Sequence, residues 1–311
     1  GCTLIVKPAE LTPLSALMIG QLALEAGVPP GALNIVTGKG SVVGDALVTH
    51  PGIDKVTFTG SPSVGRGIMQ GAAGNFKRVT LELGGKSANV IFADANLDKA
   101  TRATASGISF NAGQVCSAGS RVLVERAAYN EVVERLAARA RTITIGNPSL
   151  HETKMGPLIS SKQMKTVLNY IDIGKSEGAS VVTGGRRSGE SGYFVEPTVF
   201  ADVKHEMRIS QEEIFGPVAS VIPFEDEEDA ARIANGTAYS LAAGVWSADI
   251  GRVHRMASAL RAGTVWINTY GYTDIRLPWG GSGDSGFGRE HGDTAIETFT
   301  EPKSVWLSLA Q

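Results

Sequence analysis

Two residues in this chain have types and surroundings that could do covalent chemistry. Cys116 sits in FNAGQVCSAGSR, residues 110–121, among Gly, Ala, Ser and Asn. A structural cysteine is usually a small buried hydrophobe, and that reading stands beside the functional one. The small polar neighbours would instead let a substrate and a second backbone approach the sulfur. A thiolate is a strong nucleophile that a nearby base or a helix N-terminus can activate. The following SAGSR is read as a possible helix start, placing the N–H groups of Cys116 and Ser117 as an anion-stabilising nest. Glu82 lies in LELGGK between two leucines, just before a Gly pair. A desolvated carboxylate there has a raised pKa and suits a general base, whereas on a half-buried strand it would simply face out.

A second group of residues could bind a nucleotide. In FTGSPSVG a strand ends at Thr59, Gly60 turns the chain and a helix begins at Ser61. The positive end of a helix dipole and free N–H groups at such a junction attract phosphate, although ligand-free α/β folds contain similar turns. In KPAE, Lys7 and Glu10 follow a strand end, where a lysine can donate to ribose hydroxyls and a carboxylate can accept from them. As isolated features they read equally as solvated charges. The five histidines have no paired metal spacing.

These residues need a scaffold. The 311 residues are enough for about two domains, and 42% hydrophobic with 19% charged residues is ordinary for a folded protein. The net charge of -2 gives no field for nucleic acid or an anionic membrane, and no apolar run is long enough to span a bilayer. Two cysteines make no disulfide framework and point to a reducing compartment, the cytoplasm. Strands at TLIV, LNIV, KVTFT and RVTLE alternate with helices at 12–27, 41–50 and 61–74, which predicts a parallel sheet covered on both faces. Thr12 is expected to cap the first helix, with Pro13 as its first residue. The terminal SVWLSLAQ reads as a strand in need of a partner. The chain begins with Gly and enters a buried-type strand at once, which predicts that an N-terminal part of the natural chain is missing.

Taken in order, KPAE, FTGS, LELGGK, FNAGQVCSAGSR, MGPLIS, EEIFGP, TVWIN and PWGGSGDSGFGRE resemble the aldehyde dehydrogenase superfamily over the whole chain. The resemblance implies an α/β fold: a Rossmann-like parallel sheet, here the C-terminal part of the cofactor domain, plus a second α/β catalytic domain. It divides the chain into a partial dinucleotide-binding domain (1–84), a catalytic domain (85–284), and a return helix with an oligomerisation strand (285–311). It implies oxidation of a small-molecule aldehyde to a carboxylic acid with NAD, in a homo-dimer or homo-tetramer. Cys116 would attack the aldehyde, and Glu82 would activate the water that hydrolyses the thioester. The oxyanion would be held by the Cys116 N–H and an asparagine amide. Lys7 and Glu10 would contact the adenosine ribose, with Glu10 favouring NAD over NADP. Gly60 and Ser61 would lie near the pyrophosphate, Val64 against the adenine, Leu83 beside the cofactor, Glu213 on the nicotinamide ribose and Phe215 by its ring. Phe110, Tyr270, Tyr272 and Trp279 would line the aldehyde tunnel, an aromatic setting that could also favour a cationic aldehyde. Arg276 could pair with an acidic substrate tail or be solvated.

Full-length relatives carry about 150 further residues before GCTLIVKPAE, roughly one domain. These include the oxyanion asparagine, the start of the cofactor sheet and part of the oligomerisation hairpin. The chain alone is therefore expected to be inactive or poorly soluble, a fragment with partial nucleotide binding. A CoA-acylating relative would not need Glu82 as base. A cysteine hydrolase with a distant histidine would leave the Gly60 junction without a purpose.

Overall fold

The computed structural model describes residues 1–309, and the chain divides into two compact units. The first comprises Gly1–Phe58 with Ser63–Thr80, and the second Thr59–Pro62 with Leu81–Gln311.

In the first unit, β1 (Leu4–Val6) pairs in parallel with β2 (Leu33–Ile35). Between them runs α1 (Leu14–Glu25). Its N-cap is Pro13, one residue later than expected, and no side chain caps it; Thr12 instead bonds through its N–H to the Ala9 carbonyl. Its far end follows the sequence. Gly27 has φ +89°, its N–H reaches Leu24 O, and the Val28 N–H reaches Ala23 O, the paired bonds of a glycine-terminated helix. The segment 41–50 becomes a π-helical turn at Gly40–Gly44 followed by α2 (Asp45–Thr49). The strand β3 (Lys55–Thr59), the helix α3 (Pro62–Ala72) and the strand β4 (Arg78–Glu82) complete the alternation. The expected four-stranded sheet with both faces covered is not formed. β1 and β2 make a two-stranded ribbon, β3 lies beside β4, and α1 buries none of its residues. Strands of three residues offer few ladder bonds, and α1, which approaches β2 where Gly20 meets Ile35, stays at least partly exposed along its whole length.

The second unit is doubly wound. Its seven-stranded sheet has the order β11 (Thr264–Ile267), β10 (Ala242–Trp246), β5 (Ala88–Ile91), β6 (Arg121–Glu125), β9 (Val218–Phe224), β8 (Thr198–Ala201), β7 (Ser180–Thr183). All neighbours are parallel except β7 and β8. Successive residues serve opposite faces, as the period of two requires. Val90 and Leu123 enter one core, while Ile91, Val122 and Val124 enter the other. The first core is closed by α6 (Ser161–Ser176), α8 (Glu227–Asn235) and α9 (Ile250–Ala259), through residues such as Val167, Ile233 and Val253. The second is closed by α4 (Leu97–Ser109) and α5 (Tyr129–Arg141), through Ala100, Val132 and Leu136. Side-chain oxygens of Asn96, Ser160, Asp226 and Asp249 cap α4, α6, α8 and α9. A short α7 (Arg208–Gln211) precedes the EEIFGP turn.

After β11 the glycine-rich loop returns through β12 (Gly286–Phe287), which pairs antiparallel with the end of β4, Gly286 opposite Glu82. The last helix is α10 (Gly292–Glu297). The expected C-terminal strand is not formed over residues 304–309: Val305, Trp306 and Leu307 are exposed and make no ladder. A strand needs a partner edge, and over the described residues this segment pairs with none of the open edges. Its last residues, Ala310 and Gln311, lie outside the described residues. Among the described residues no helix is long and apolar enough to cross a membrane.

Candidate active site

The LELGG segment leaves β4 and threads between two other loops of the second unit. A Cβ on Gly84 would collide with the Glu213 carboxylate, and one on Gly85 with the Cys116 carbonyl oxygen. The Gly85 N–H donates to Glu213 Oε1 at 3.1 Å. Two consecutive residues without side chains therefore bring Glu82, Cys116 and Glu213, far apart in sequence, into one neighbourhood.

Cys116 is partly buried and unpaired. The chain reaches it through Asn111, Ala112 and Gly113, all with positive φ (49°, 54° and 72°). A Cβ on Gly113 would strike Gly216 O, so the approach loop lies directly on the EEIFGP turn. SAGSR does not start a helix. Ala118 N–H closes a tight turn on Val115 O, and β6 begins at Arg121. Without the helix, the backbone amides of Ser117 and Cys116 still favour the ionised sulfur. Burial pushes the thiol pKa up, Glu213 and Glu82 push it further, and the two amides oppose them.

Glu82 is buried, with Oε2 lacking a hydrogen-bond partner. Its pKa is pushed up to about 7, first by burial and then by Glu290, with Arg289 opposing. Burial raises Glu213 too, against the Gly85 N–H and Lys86. The site thus collects three acids whose charged forms are all disfavoured, an environment that a cationic ring would relieve.

The other expected residues divide. Tyr270 and Trp279 pack with Cys116 around Leu241, Ala242 and Trp266. Phe110 and Tyr272 are exposed, at 63% and 76%. Arg276 is paired with Asp274, its Nε donating at 2.9 Å. Leu83 is buried, and its N–H donates to Ser285 O. Phe215 has φ +55°, and its carbonyl accepts from Gln163 Nε2 at 2.8 Å. The Gly60 N–H donates to Glu82 O at 3.0 Å, so that amide serves the fold and is not offered to a phosphate. Ser61 precedes the first turn of α3, and Val64, inside the helix, is exposed. Within the first unit, Lys7 Nζ donates to the carbonyls of Pro8 and Gly38, and Glu10 Oε1 accepts from the Gly40 N–H at 2.7 Å. A pocket of about 230 Å³ there is lined by Pro8, Glu10, Pro13, Gly38 and Lys39 among others.

Three residues were not read from the sequence. Lys86 is fully enclosed, its Nζ has no partner, and burial lowers its pKa to about 7. Its signal was a charge inside the apolar run GGKSANVIF. Arg121 is 1% exposed and donates to the carbonyls of Ile233 and Ala234 at the end of α8. Gln163 gave no local signal, since its role depends on where the EEIFGP turn comes to lie. Among the described residues no group of His, Cys, Asp and Glu could hold a metal ion.

A doubly wound catalytic unit, with a cysteine and a glutamate brought together beside a glycine pair, defines a class. Residues 1–305 match the aldehyde dehydrogenase family, and the chain belongs to it. An aldehyde dehydrogenase of Aspergillus niger is 48% identical over 310 residues, covering 99% of this chain and 62% of that protein. The NAD+ complex of an aldehyde dehydrogenase from Bacillus cereus has a TM-score of 0.98 at 51% identity, covering 99% of this chain and 63% of that one. A betaine aldehyde dehydrogenase from Staphylococcus aureus in complex with NAD+ has a TM-score of 0.94 at 42% identity, covering 99% and 64%. The chain thus spans a little over three-fifths of the length of these relatives.

Proposed function

We propose, in place of the expectation of an inactive fragment, that this chain oxidises aldehydes to carboxylic acids with NAD, using Cys116 as nucleophile and Glu82 as base. The observation that carries this reading is the convergence of Cys116, Glu82 and Glu213 on the Gly84–Gly85 segment. Cys116 Sγ, as the thiolate, bonds to the aldehyde carbon, and the carbonyl electron pair moves to oxygen. The Cys116 and Ser117 amides that face the sulfur restrain the attacking group in this step. NAD, held by the residues named below, would supply the hydride acceptor, and loss of the hydride from the thiohemiacetal carbon would leave a thioester on Cys116. Glu82 then accepts a proton from water, the water oxygen bonds to the thioester carbon, and the C–S bond breaks with its electrons returning to sulfur. A pKa near 7 keeps Glu82 available as a base at neutral pH.

Lys7 and Glu10 would hold the adenosine ribose, and the Glu10 carboxylate would repel the 2′-phosphate of NADP. Ser61 and Val64 would face the pyrophosphate and adenine, with Gly60 shaping their turn. Leu83, Glu213 and Phe215 would hold the nicotinamide end. In this reading residues 1–84 are a partial dinucleotide-binding domain that also supplies Glu82, 85–284 a catalytic domain that also supplies Glu213 and Phe215 to the cofactor, and 285–311 serve assembly into a dimer or tetramer. Tyr270 and Trp279 put aromatic surface beside Cys116, and a chain with only two cysteines fits a reducing cytoplasm. The test is NADH formation by the purified chain with a panel of aldehydes. Turnover is expected to vanish in Cys116→Ala, and a variant that keeps it overturns the nucleophile.

A further inference from the structure

Tyr270 was expected to wall the aldehyde path, yet its hydroxyl points elsewhere: it donates to the Ser117 carbonyl at 2.9 Å. The ring lies in a slot that three segments leave open by lacking side chains. A Cβ on Gly244 of β10 would come 2.6 Å from the ring, and one on Gly119 would come 2.8 Å from Cζ and 3.0 Å from the hydroxyl oxygen. Gly107 of α4 approaches within 3.9 Å on the same measure. The fourth side is Trp266, whose ring centroid is 4.6 Å away. The chain is aimed into this slot by Asn268. That residue has φ +53°, and its amide side chain both accepts from Ser247 N–H and donates to Ser247 O.

We infer that Tyr270 is a positioning residue for the Cys116 thiol, its hydroxyl fixing the Ser117 carbonyl and so the turn whose amides face the sulfur. This rests on Cys116 being the nucleophile, but it concerns the sulfur's surroundings and not turnover. The turn has two ties: the Ala118 N–H to Val115 O closes its inside, and Tyr270 holds its outside. The Ser117 carbonyl shares its planar peptide unit with the Ala118 N–H, so the two ties hold that one plane from opposite ends; without Tyr270 the plane can tilt, and the Ser117 backbone, with the N–H that precedes it, shifts relative to the sulfur. The thiolate then loses a hydrogen bond that stabilises it against the thiol.

The experiment is the rate of iodoacetamide alkylation at Cys116, followed by mass on its peptide so that Cys2 does not interfere, across pH 7 to 10 in the full chain. Tyr270→Phe, which keeps the ring, is expected to slow alkylation at pH 8 by about fivefold, the worth of one hydrogen bond, and to move the midpoint upward. Gly119→Ala pushes on the ring from the other side and is expected to shift the profile the same way. A Tyr270→Phe profile that superimposes on that of the parent chain, with only the melting temperature changed, overturns the inference. If Tyr270→Phe does not fold, an unshifted Gly119→Ala profile overturns it alone. Retained NADH formation in Cys116→Ala would instead overturn the nucleophile, leaving the alkylation comparison to decide the role of Tyr270.

Discussion

Glu82 shows how one buried side chain links stability to pH. Its folded pKa, about 7, lies above the ordinary carboxylate value, so the folded state holds a proton that the unfolded chain gives up earlier. The stabilisation is fully present below the ordinary carboxylate range and is lost as pH rises through 7. Glu82→Gln removes the buried charge. It is expected to be more stable than the parent by about 3 kcal/mol at pH 8.5 and equal to it at pH 4, by urea unfolding at both values. The same variant should lose about 10²–10⁴ in the rate of acid formation, the worth of a general base. Acid formation by the parent chain is expected to rise with pH through about 7 as Glu82 ionises, and that limb should disappear in the variant. A variant more stable at pH 4 than at pH 8.5 would mean the carboxylate is charged when folded. Both residues proposed to react stand out in the sequence because each breaks a local rule, a charge among leucines and a thiol among small polar residues.

At the scale of elements, Arg121 does what no sequence window could show. It opens β6, and its guanidinium crosses to the last carbonyls of α8, where a helix leaves acceptors unpaired and carries partial negative charge. It thereby ties the sheet to the helix that closes the first core. Arg121→Met is expected to cost about 2–4 kcal/mol, read as a lower urea midpoint, because two buried carbonyls lose their donors. A loss below 0.5 kcal/mol would mean that water replaces the guanidinium. Helix placement was otherwise readable from caps and glycines: Asn96, Asp226, Asp249 and Gly27 all act as their types require. Two readings failed at this scale. SAGSR became a turn because β6 begins only five residues after Cys116. SVWLSLAQ formed no strand over its described residues because alternation specifies a face and does not supply a neighbour.

Across the whole molecule the burial is uneven. The second unit encloses both faces of its sheet, while α1 leaves Leu14 at 78% and Ile19 at 60% exposure, together with Met18 and Leu22. Contiguous apolar surface of this kind favours association. The purified chain is expected to bind an apolar-surface dye and to sediment faster than a monomer, and Met18→Glu with Leu22→Glu is expected to lower both. An unmodified chain that stays monomeric and dye-silent would show that this face needs no cover.

By itself the sequence determined the alternation of elements, the glycine end of the first helix, the α/β class, and the two residues whose chemistry stands out. These follow from periodicity, capping and local contrast, all written within a few neighbouring positions. Only the tertiary structure decided which distant segments meet. It set Glu213 and Cys116 on either side of Gly84–Gly85, turned Tyr270 onto the Ser117 carbonyl, engaged the Gly60 amide with Glu82, and enclosed Lys86 and Arg121. Close approach and desolvation depend on what packs across from a residue, and that partner lies far away along the chain.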